Sequence, residues 1–182
     1  MRVIAGVAKG HPLKAPRSGA TRPTSDLIKG VIFSLLEGIA PACSRVLDLY
    51  AGSGALGIEA LSRWADHADF VESNSSACAV IRENLKYTKL MDRAKIYCIS
   101  VEKALASLKD RYDIILADPP YGMANISGFL GAIAGSALMD RETTLAIEHS
   151  RRVPLESSYG PLKLVKSRRH GDTVVSLFRL EE

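Results

Sequence analysis

The chain has 182 residues, which is enough for one domain with a substantial core and a short appendage. Apolar residues make up 47% and charged residues 24%, a composition typical of globular proteins. No apolar run approaches the roughly 20 residues that a membrane helix needs, and no signal peptide follows Met1. We therefore expect a cytoplasmic protein without a membrane partner. The cysteines and histidines are scattered, with no CxxC spacing, so we expect no metal site.

Positive charge is concentrated in two segments, although the net charge of the chain is only +4. Residues 1–30 carry six basic side chains against one acidic, and residues 151–170 also carry six against one. Such clustering favours a surface that binds a polyanion such as nucleic acid. The alternative is a solvated surface on which the clustering is incidental.

The first 40 residues differ from the rest of the chain. A stretch punctuated by Gly and Pro, which fits a β-hairpin over residues 2–15, precedes a helix predicted from about Ser25 to Glu37. We interpret residues 1–40 as a basic N-terminal extension and residues 41–182 as the main domain.

From residue 45 onward, apolar strands alternate with amphipathic helices, which predicts an α/β fold with a parallel sheet covered on both faces. The predicted parallel strands span residues 45–49, 68–72, 95–99, 112–117 and 144–148. The predicted intervening helices include residues 55–63, 75–90 and 126–138. Residues 162–167 and 173–180, on either side of Gly171-Asp172, predict a terminal antiparallel hairpin.

A glycine-rich loop follows the first predicted strand. Gly52, Gly54 and Gly57 satisfy G-x-G-x-x-G, and Glu72 ends the second strand 20 residues after Gly52. Such glycines let the backbone approach a ligand, and the acid can hold the ribose hydroxyls of an adenosine cofactor. Taken alone, the pattern also describes an NAD site. Asp48 favours S-adenosylmethionine, because a carboxylate just before the loop would repel pyrophosphate and suits the cationic amino-acid end of that cofactor.

The fourth predicted strand ends in Asp118-Pro119-Pro120-Tyr121. Ligands of open α/β sheets bind beyond the carboxyl ends of the strands, so this tetrad should face the same crevice as the glycine loop. The Asp118 carboxylate and the Pro119 carbonyl can accept the two N–H bonds of an exocyclic purine amine, and Tyr121 can stack on the base. The alternative is an ordinary Pro-rich loop with Asp118 as a turn residue.

These motifs together resemble the RsmD family of 16S ribosomal RNA guanine-N2 methyltransferases. The resemblance rests on the glycine loop (DLYAGSGALGIEAL, Asp48–Leu61), on Asp118–Tyr121 and on Arg22-Pro23-Thr24. It begins at Arg2-Val3-Ile4-Ala5-Gly6 and ends near Gly171–Arg179. It implies a Rossmann-like class I fold, with a mostly parallel seven-stranded sheet and a C-terminal antiparallel hairpin.

The resemblance also implies an activity and its partners. A methyl group would pass from S-adenosylmethionine to the exocyclic N2 amine of a guanine in 16S ribosomal RNA, leaving S-adenosylhomocysteine and using no metal. The RNA would be met within the small ribosomal subunit or its assembly intermediate, by a protein acting as a monomer. The main domain would then be the methyltransferase domain, and the N-terminal extension would dock RNA.

Three groups of site residues are expected. The catalytic group is Asp118, Pro119, Pro120 and Tyr121. The cofactor-binding group is Asp48, Gly52, Ser53, Gly54, Glu72, Ser100 and Val101. The RNA-binding group is Arg2, Lys9, Arg17, Arg22 and Thr24. The hydroxyl of Thr24 has the alternative role of capping the helix that follows.

Three positions depart from the family pattern. Asn74 stands where the family often has Asp, and Ser100 stands where it commonly has Asp or Asn. Gly30 lies in a helix that is Arg-rich in the family, and it costs about 1 kcal/mol relative to Ala. Other functions remain open at this point: methylation of adenine N6 or of a protein glutamine, a non-catalytic RNA-binding assembly factor, and an NAD-dependent enzyme.

Overall fold

The computed structural model describes residues 1–16, 25–39, 44–120 and 123–181. The helices are α1 (Asp26–Leu36), α2 (Ala55–Arg63), α3 (Ser75–Tyr87), α4 (Val101–Ser107) and α5 (Ile126–Ala134). The strands are β1 (Ser44–Leu49), β2 (Ala65–Val71), β3 (Ala94–Tyr97), β4 (Ile114–Ala117), β5 (Thr144–Ser150), β6 (Ser158–Tyr159), β7 (Leu162–His170) and β8 (Thr173–Leu180). None of the helices described is long and apolar enough to cross a membrane.

All these strands form one sheet in the order β3-β2-β1-β4-β5-β8-β7-β6. The first five strands in this order, β3, β2, β1, β4 and β5, are parallel to one another. The last three, β8, β7 and β6, are each antiparallel to their neighbours. The predicted α/β fold with a terminal hairpin is thereby confirmed. The sheet has eight strands instead of seven, because a turn at Gly160-Pro161 lets Ser158–Tyr159 pair with the start of β7.

The order of the strands places a ligand site between β1 and β4. From β1 the chain continues to β2 and β3 on one side, and β4 and β5 lie on the other side. At such a reversal the loops leaving the two central strands diverge and open a crevice beyond their carboxyl ends. The glycine loop after β1, Glu72 after β2 and Asp118 after β4 all lie at this edge.

The first 16 residues pack onto the main domain. Residues 1–3 and 10–13 pair as a short antiparallel hairpin: a bridge joins Arg2 to Pro12, and three backbone hydrogen bonds of 2.8–3.0 Å link the two sides. The expected hairpin over residues 2–15 is therefore present in a shorter form. Val3, Ala8 and Leu13 are buried in the core cluster that also contains apolar residues of α1 and α2. Burial of these apolar side chains adds to the backbone hydrogen bonds in fixing the course of the segment.

A buried carboxylate on α2 also anchors this segment. The Glu59 side chain is fully buried and accepts hydrogen bonds from the backbone amides of Ile4 and Ala5, both at 2.9 Å. Glu59 also pairs with Arg63 at 2.9 Å and with Lys29 of α1 at 3.5 Å. Because Lys29 is fully buried, it does not contribute to the basic surface inferred from the charge pattern.

Candidate active site

Two glycines of the loop between β1 and α2 have different structural roles. Gly52 and Gly54 have φ values of +56° and +78°, in the left-handed region that favours glycine. A Cβ on Gly54 would press against the side chains of Ile81 and Phe70, at 3.1 and 3.3 Å. A Cβ on Gly52 would approach nothing closer than the Tyr50 carbonyl oxygen at 3.9 Å. The backbone at Gly52 is therefore open to a ligand, whereas Gly54 is required by packing.

Glu72 joins the glycine loop to the start of α3. One carboxylate oxygen accepts a hydrogen bond from the Gly52 amide at 2.9 Å, and the other accepts one from the Asn74 amide at 2.8 Å. The Asn74 side chain caps α3 by accepting from the amides of Ser76 and Ala77. The departure from the family pattern at Asn74 thus keeps a side chain that caps α3 and an amide that orients Glu72.

Asp48 is buried at the end of β1, with 1% of its surface exposed. It accepts a hydrogen bond from the Gly57 amide at 2.8 Å. Burial is the largest cause that raises the pKa of Asp48 well above its ordinary range. The hydrogen bond from Gly57 opposes this shift, and the charges of Asp118 and Glu72 add to it.

Three carboxylates lie at the carboxyl edge of the three neighbouring strands β2, β1 and β4, namely Glu72, Asp48 and Asp118. The charges of Asp118 and Glu72 both raise the pKa of Asp48. Such a cluster repels anions and attracts a cation that neutralises it. The arrangement fits a positively charged ligand better than the pyrophosphate of a dinucleotide.

A pocket lies beyond the ends of β4 and β5, beside the predicted catalytic residues. It is a concave surface whose empty volume of about 360 Å³ includes open solvent. Its lining residues are Asp118, Pro119, Pro120, Met123, Ile126, Glu148, His149, Ser150 and Val153. The structure therefore brings three of the four predicted catalytic residues to one concave surface. Tyr121 lies outside the described residues.

The side chains of the other predicted cofactor residues, Ser53, Ser100 and Val101, contact other parts of the protein. Ser53 is largely buried, and its hydroxyl lies 3.7 Å from the Met1 sulfur, on the side of the N-terminal segment. Ser100 caps α4 by accepting from the Lys103 amide at 3.3 Å. Val101 is buried among apolar residues of the sheet. Ser100 and Val101 follow β3, whose Tyr97 carbonyl accepts a hydrogen bond from the Glu72 amide at 3.1 Å, so both lie at the same edge of the sheet as Glu72.

The predicted RNA-binding residues are not all near the crevice. Arg2 pairs with Asp26 at 3.3 Å. Lys9 is exposed in a turn that the Val7 amide ties to the Ser62 carbonyl at 2.8 Å. Because Ser62 lies near the end of α2 remote from the glycine loop, Lys9 is placed about 10 Å along that helix from the loop. Arg17, Arg22 and Thr24 lie outside the described residues.

Tyr50 connects the cofactor side of the crevice with the pocket, and the sequence patterns did not single it out. Its ring makes an edge contact with Phe129, with centroids 5.6 Å apart, and its hydroxyl lies 3.9 Å from the sulfur of Met123. Burial, assisted by the charge of Glu102, raises the pKa of Tyr50 to about 12, so the phenol stays protonated. A left-handed φ of 60° at this non-glycine residue brings its side chain to this position.

Glu148 and His149, at the end of β5, are two further pocket residues that the sequence patterns missed. Nδ1 of His149 faces the carbonyls of Ser150 and Val153 at 3.2 and 3.1 Å, and Nε2 lies 2.9 Å from the Ser176 hydroxyl. Because Nδ1 faces two carbonyl oxygens, which only accept hydrogen bonds, Nδ1 carries the ring proton. Burial lowers the pKa of His149, so the ring is neutral and braces the pocket wall.

The pocket wall also carries a carboxylate. Glu148 is 6% exposed and lines the pocket together with Asp118. The available signal was its position, because a polar residue after an apolar run at the carboxyl end of β5 repeats the arrangement of Asp118 after β4. Within the described ranges, no group of His, Cys, Asp and Glu side chains is arranged to hold a metal ion.

Known proteins are similar to this chain in sequence and in fold. The family model described as conserved hypothetical protein 95 matches residues 1–179. YlbH of Bacillus subtilis strain 168, named as a candidate rRNA methyltransferase, is 36% identical over 182 residues, and the match covers 98% of each chain. Ribosomal RNA small subunit methyltransferase D of Escherichia coli K12 is 28% identical over 148 residues, covering 81% of this chain and 74% of that protein.

A solved structure extends the comparison to three dimensions. An Escherichia coli protein described as a candidate methyltransferase, yhhF, superposes with a TM-score of 0.83 at 25% identity. The superposition covers 100% of this chain and 98% of that one. The family match spans nearly the whole sequence. The chain therefore belongs to the conserved hypothetical protein 95 family and is an RsmD-like class I methyltransferase.

Proposed function

We propose that this enzyme transfers a methyl group from S-adenosylmethionine to the exocyclic N2 amine of a guanine in 16S ribosomal RNA. The observation that carries the proposal is the placement of Asp48, Glu72 and Asp118 at the carboxyl ends of the neighbouring strands β1, β2 and β4, beside a pocket lined by Asp118, Pro119 and Pro120. Ribosomal RNA as the substrate is supported by the names of the relatives from Bacillus subtilis and Escherichia coli. The small subunit or its assembly intermediate as partner, a monomeric enzyme and a cytoplasmic location belong to the same proposal.

The residues present fit the cofactor. Each oxygen of the Glu72 carboxylate accepts one backbone hydrogen bond and has further acceptor capacity for a ribose hydroxyl. The open backbone at Gly52 leaves room for the ligand. Asp48, once it loses its proton, would be a negative partner for the ammonium group of the ligand, directly or through water. Ser100 and Val101 would lie beside the adenine. When bound there, S-adenosylmethionine supplies an electrophilic methyl group on a sulfonium.

Asp118 and the proline backbone would orient the acceptor amine. The lone pair of an exocyclic purine amine is delocalised into the ring, which makes the nitrogen a poor nucleophile. The Asp118 carboxylate and the Pro119 carbonyl would each accept one of its N–H bonds and turn the lone pair toward the methyl group. Catalysis would then depend on orientation more than on a strong base, and the proton would leave after methyl transfer. Tyr121 would hold the plane of the base by stacking.

The second carboxylate of the pocket favours guanine over adenine. Guanine presents two adjacent donors, at N1 and N2, whereas adenine presents an acceptor at N1 beside its N6 amine. Glu148 and Asp118 both line the pocket, and ionised carboxylates are pure acceptors. A pocket with two acceptors therefore matches the edge of guanine and would repel N1 of adenine.

The identity of the methylated nucleoside tests this proposal. The purified enzyme would be incubated with methyl-labelled S-adenosylmethionine and either protein-free 16S RNA or assembled small subunits. After digestion to nucleosides, we expect the label in N2-methylguanosine from at least one of the two substrates. Label in N6-methyladenosine, or in the ribosomal proteins alone, would show that the proposed acceptor is wrong.

Asp48 provides a prediction about protons and cofactor binding. Because the pKa of Asp48 is raised in the free protein, a cationic ligand that lowers this pKa should release a proton on binding. Affinity for S-adenosylmethionine should then rise with pH until the pH exceeds the pKa of the free protein. In the Asp48→Asn variant, affinity should fall about tenfold and its pH dependence should flatten, since one pKa unit corresponds to about 1.4 kcal/mol.

Calorimetry in two buffers with different ionisation enthalpies measures the proton release directly. A carboxyl group whose pKa is higher in the folded than in the unfolded state lowers stability as pH rises between the two values. Thermal unfolding at pH 7 should therefore show the Asp48→Asn variant to be at least as stable as the wild type. If the Asp48→Asn variant released as many protons on cofactor binding as the wild type, the released proton would come from a group other than Asp48.

A further inference from the structure

The terminal hairpin extends the pocket wall sideways across the sheet. The strand register aligns residues of β5, β8 and β7 in three rows: Glu148–Val175–Arg168, His149–Val174–Arg169 and Ser150–Thr173–His170. The β5 member of each row lines the pocket. Adjacent strands are about 4.8 Å apart, so the β7 members lie about 10 Å from the pocket wall.

The outer part of β7 is fully accessible. Every residue from Val165 to His170 is exposed, and a bulge interrupts the pairing with β8 at Val165. Among the described strands, only β6 pairs with the outer edge of β7, and it reaches no further than Lys163. Lys166, Arg168 and Arg169 are therefore presented to solvent along an open edge.

The loop after β5 joins this edge to the mouth of the pocket. Arg151 and Arg152 are exposed and lie between Ser150 and Val153, which both line the pocket. The Arg151 amide donates to the Asp172 carbonyl at 2.9 Å, and its guanidinium pairs with the Asp172 carboxylate at 2.7 Å. These contacts hold the loop against the hairpin turn, so the loop adjoins the open edge of β7, from which Arg168 and Arg169 project on opposite faces.

We call the loop and this open edge together the basic rim and define it as Arg151, Arg152, Lys166, Arg168 and Arg169. We infer that the basic rim binds the phosphates that flank the target nucleotide in the RNA. The inference rests on the proposed function and names the docking surface that serves its pocket. Phosphate contacts of this kind position the nucleic acid without reading its sequence. They are needed where a base must leave its stack to enter a pocket.

A different role for the same charges is protection of an open strand edge. Lysine and other charged side chains on an edge strand prevent pairing with another chain. Arg168→Glu/Arg169→Glu separates the two roles, because glutamate still places charge on the edge but repels phosphate. Both side chains are exposed, so the variant should keep the thermal unfolding midpoint of the wild type.

A matched control exists at the opposite edge of the sheet. Lys86 and Lys89 are exposed near the end of α3, which is the end remote from the crevice. Lys86→Glu/Lys89→Glu changes the net charge by the same amount as the rim variant. The probe is a protein-free 16S RNA transcript, with binding measured over a range of salt concentrations and methyl transfer measured on the same RNA.

We expect the rim variant to bind the transcript at least tenfold more weakly than the wild type, and the control variant to lose much less. The slope of log affinity against log salt should become shallower by about 0.7–0.9 for each lost phosphate contact. S-adenosylhomocysteine affinity should be unchanged in both variants. The milder Arg168→Gln/Arg169→Gln pair should show a smaller loss in the same direction.

Two results would overturn the inference while leaving the proposed function intact. One is equal losses of RNA binding in the rim and control variants, which would reflect net charge alone. The other is full RNA binding and methyl transfer by the rim variants, which would leave edge protection as the role of these charges. If the wild type methylated neither the transcript nor small subunits, the proposed function would fail and the inference would fail with it.

Discussion

Replacing Asp118 with alanine is expected to slow methyl transfer to RNA by at least about a hundredfold, the loss that follows when a reacting group is misplaced. Affinity for S-adenosylhomocysteine should stay within about threefold of the wild type, because Asp118 lines the pocket and acts on the acceptor amine. Single-turnover kinetics with saturating RNA, combined with calorimetry, separates the two effects.

Asp118→Asn is the matched variant. Its amide oxygen can still accept one N–H of the amine, so we expect turnover between that of the wild type and that of Asp118→Ala. The wild type should show no steep loss of rate between pH 8 and pH 6, because the amine needs orientation more than deprotonation. Near-normal turnover by Asp118→Ala would exclude the proposed orientation of the amine.

Glu72→Ala is expected to weaken S-adenosylmethionine binding at least tenfold. Hydrogen bonds to a charged group contribute about 1.5–3 kcal/mol each, and the variant loses those to the ribose hydroxyls. It also removes the acceptor for the amides of Gly52 and Asn74, so the glycine loop loses its attachment to the start of α3. Calorimetric titration with S-adenosylmethionine measures the loss.

Glu83→Ala serves as the control for this experiment. Glu83 is an exposed carboxylate on α3 that pairs with Lys14 at 2.7 Å, and its removal changes the net charge equally. We expect it to leave cofactor affinity unchanged. If Glu72→Ala also bound S-adenosylmethionine with wild-type affinity, the adenosine would have to lie elsewhere in the crevice.

The carboxyl edge of the sheet could be anticipated from the sequence because its signals are local. Apolar runs predicted β1, β2 and β4, and the polar residues that follow them had to emerge at one edge. Asp48, Glu72 and Asp118 were found by this reasoning. Glu148 lies near the carboxyl end of β5, at the same edge of the sheet, but no neighbouring glycine or proline marked its position.

Contacts between residues distant in sequence could not be anticipated. Lys29 was counted as a surface charge, yet its ammonium group is buried with the Arg2 carbonyl and the Glu59 carboxylate. Nothing local to Lys29 signals a carboxylate 30 residues later. The glycines and prolines of the N-terminal segment predicted its hairpin, but they did not predict that Val3, Ala8 and Leu13 pack against the core. Its basic residues are therefore better tested by substitution than by deletion.

The positions of the two basic segments relative to the pocket also depend on contacts between residues distant in sequence. Composition alone showed two clusters of positive charge, and only the structure separates them by position. Lys9 lies toward the end of α2 remote from the glycine loop, whereas Arg151 and Arg152 lie at the pocket mouth and the basic residues of β7 lie about 10 Å from its wall. Strand register supplied this distinction, because it aligns β7 with β5 across the single strand β8.

Nucleoside analysis of 16S RNA is the most direct test of methyl transfer to the N2 amine of guanine. The RNA would be isolated from cells that lack the gene and from the same cells carrying the wild-type gene or the Asp118→Ala variant. Mass spectrometry should show N2-methylguanosine reduced in the deletion strain, restored by the wild type and not restored by the variant. Unchanged N2-methylguanosine in the deletion strain, or a loss of N6-methyladenosine instead, would contradict the assignment.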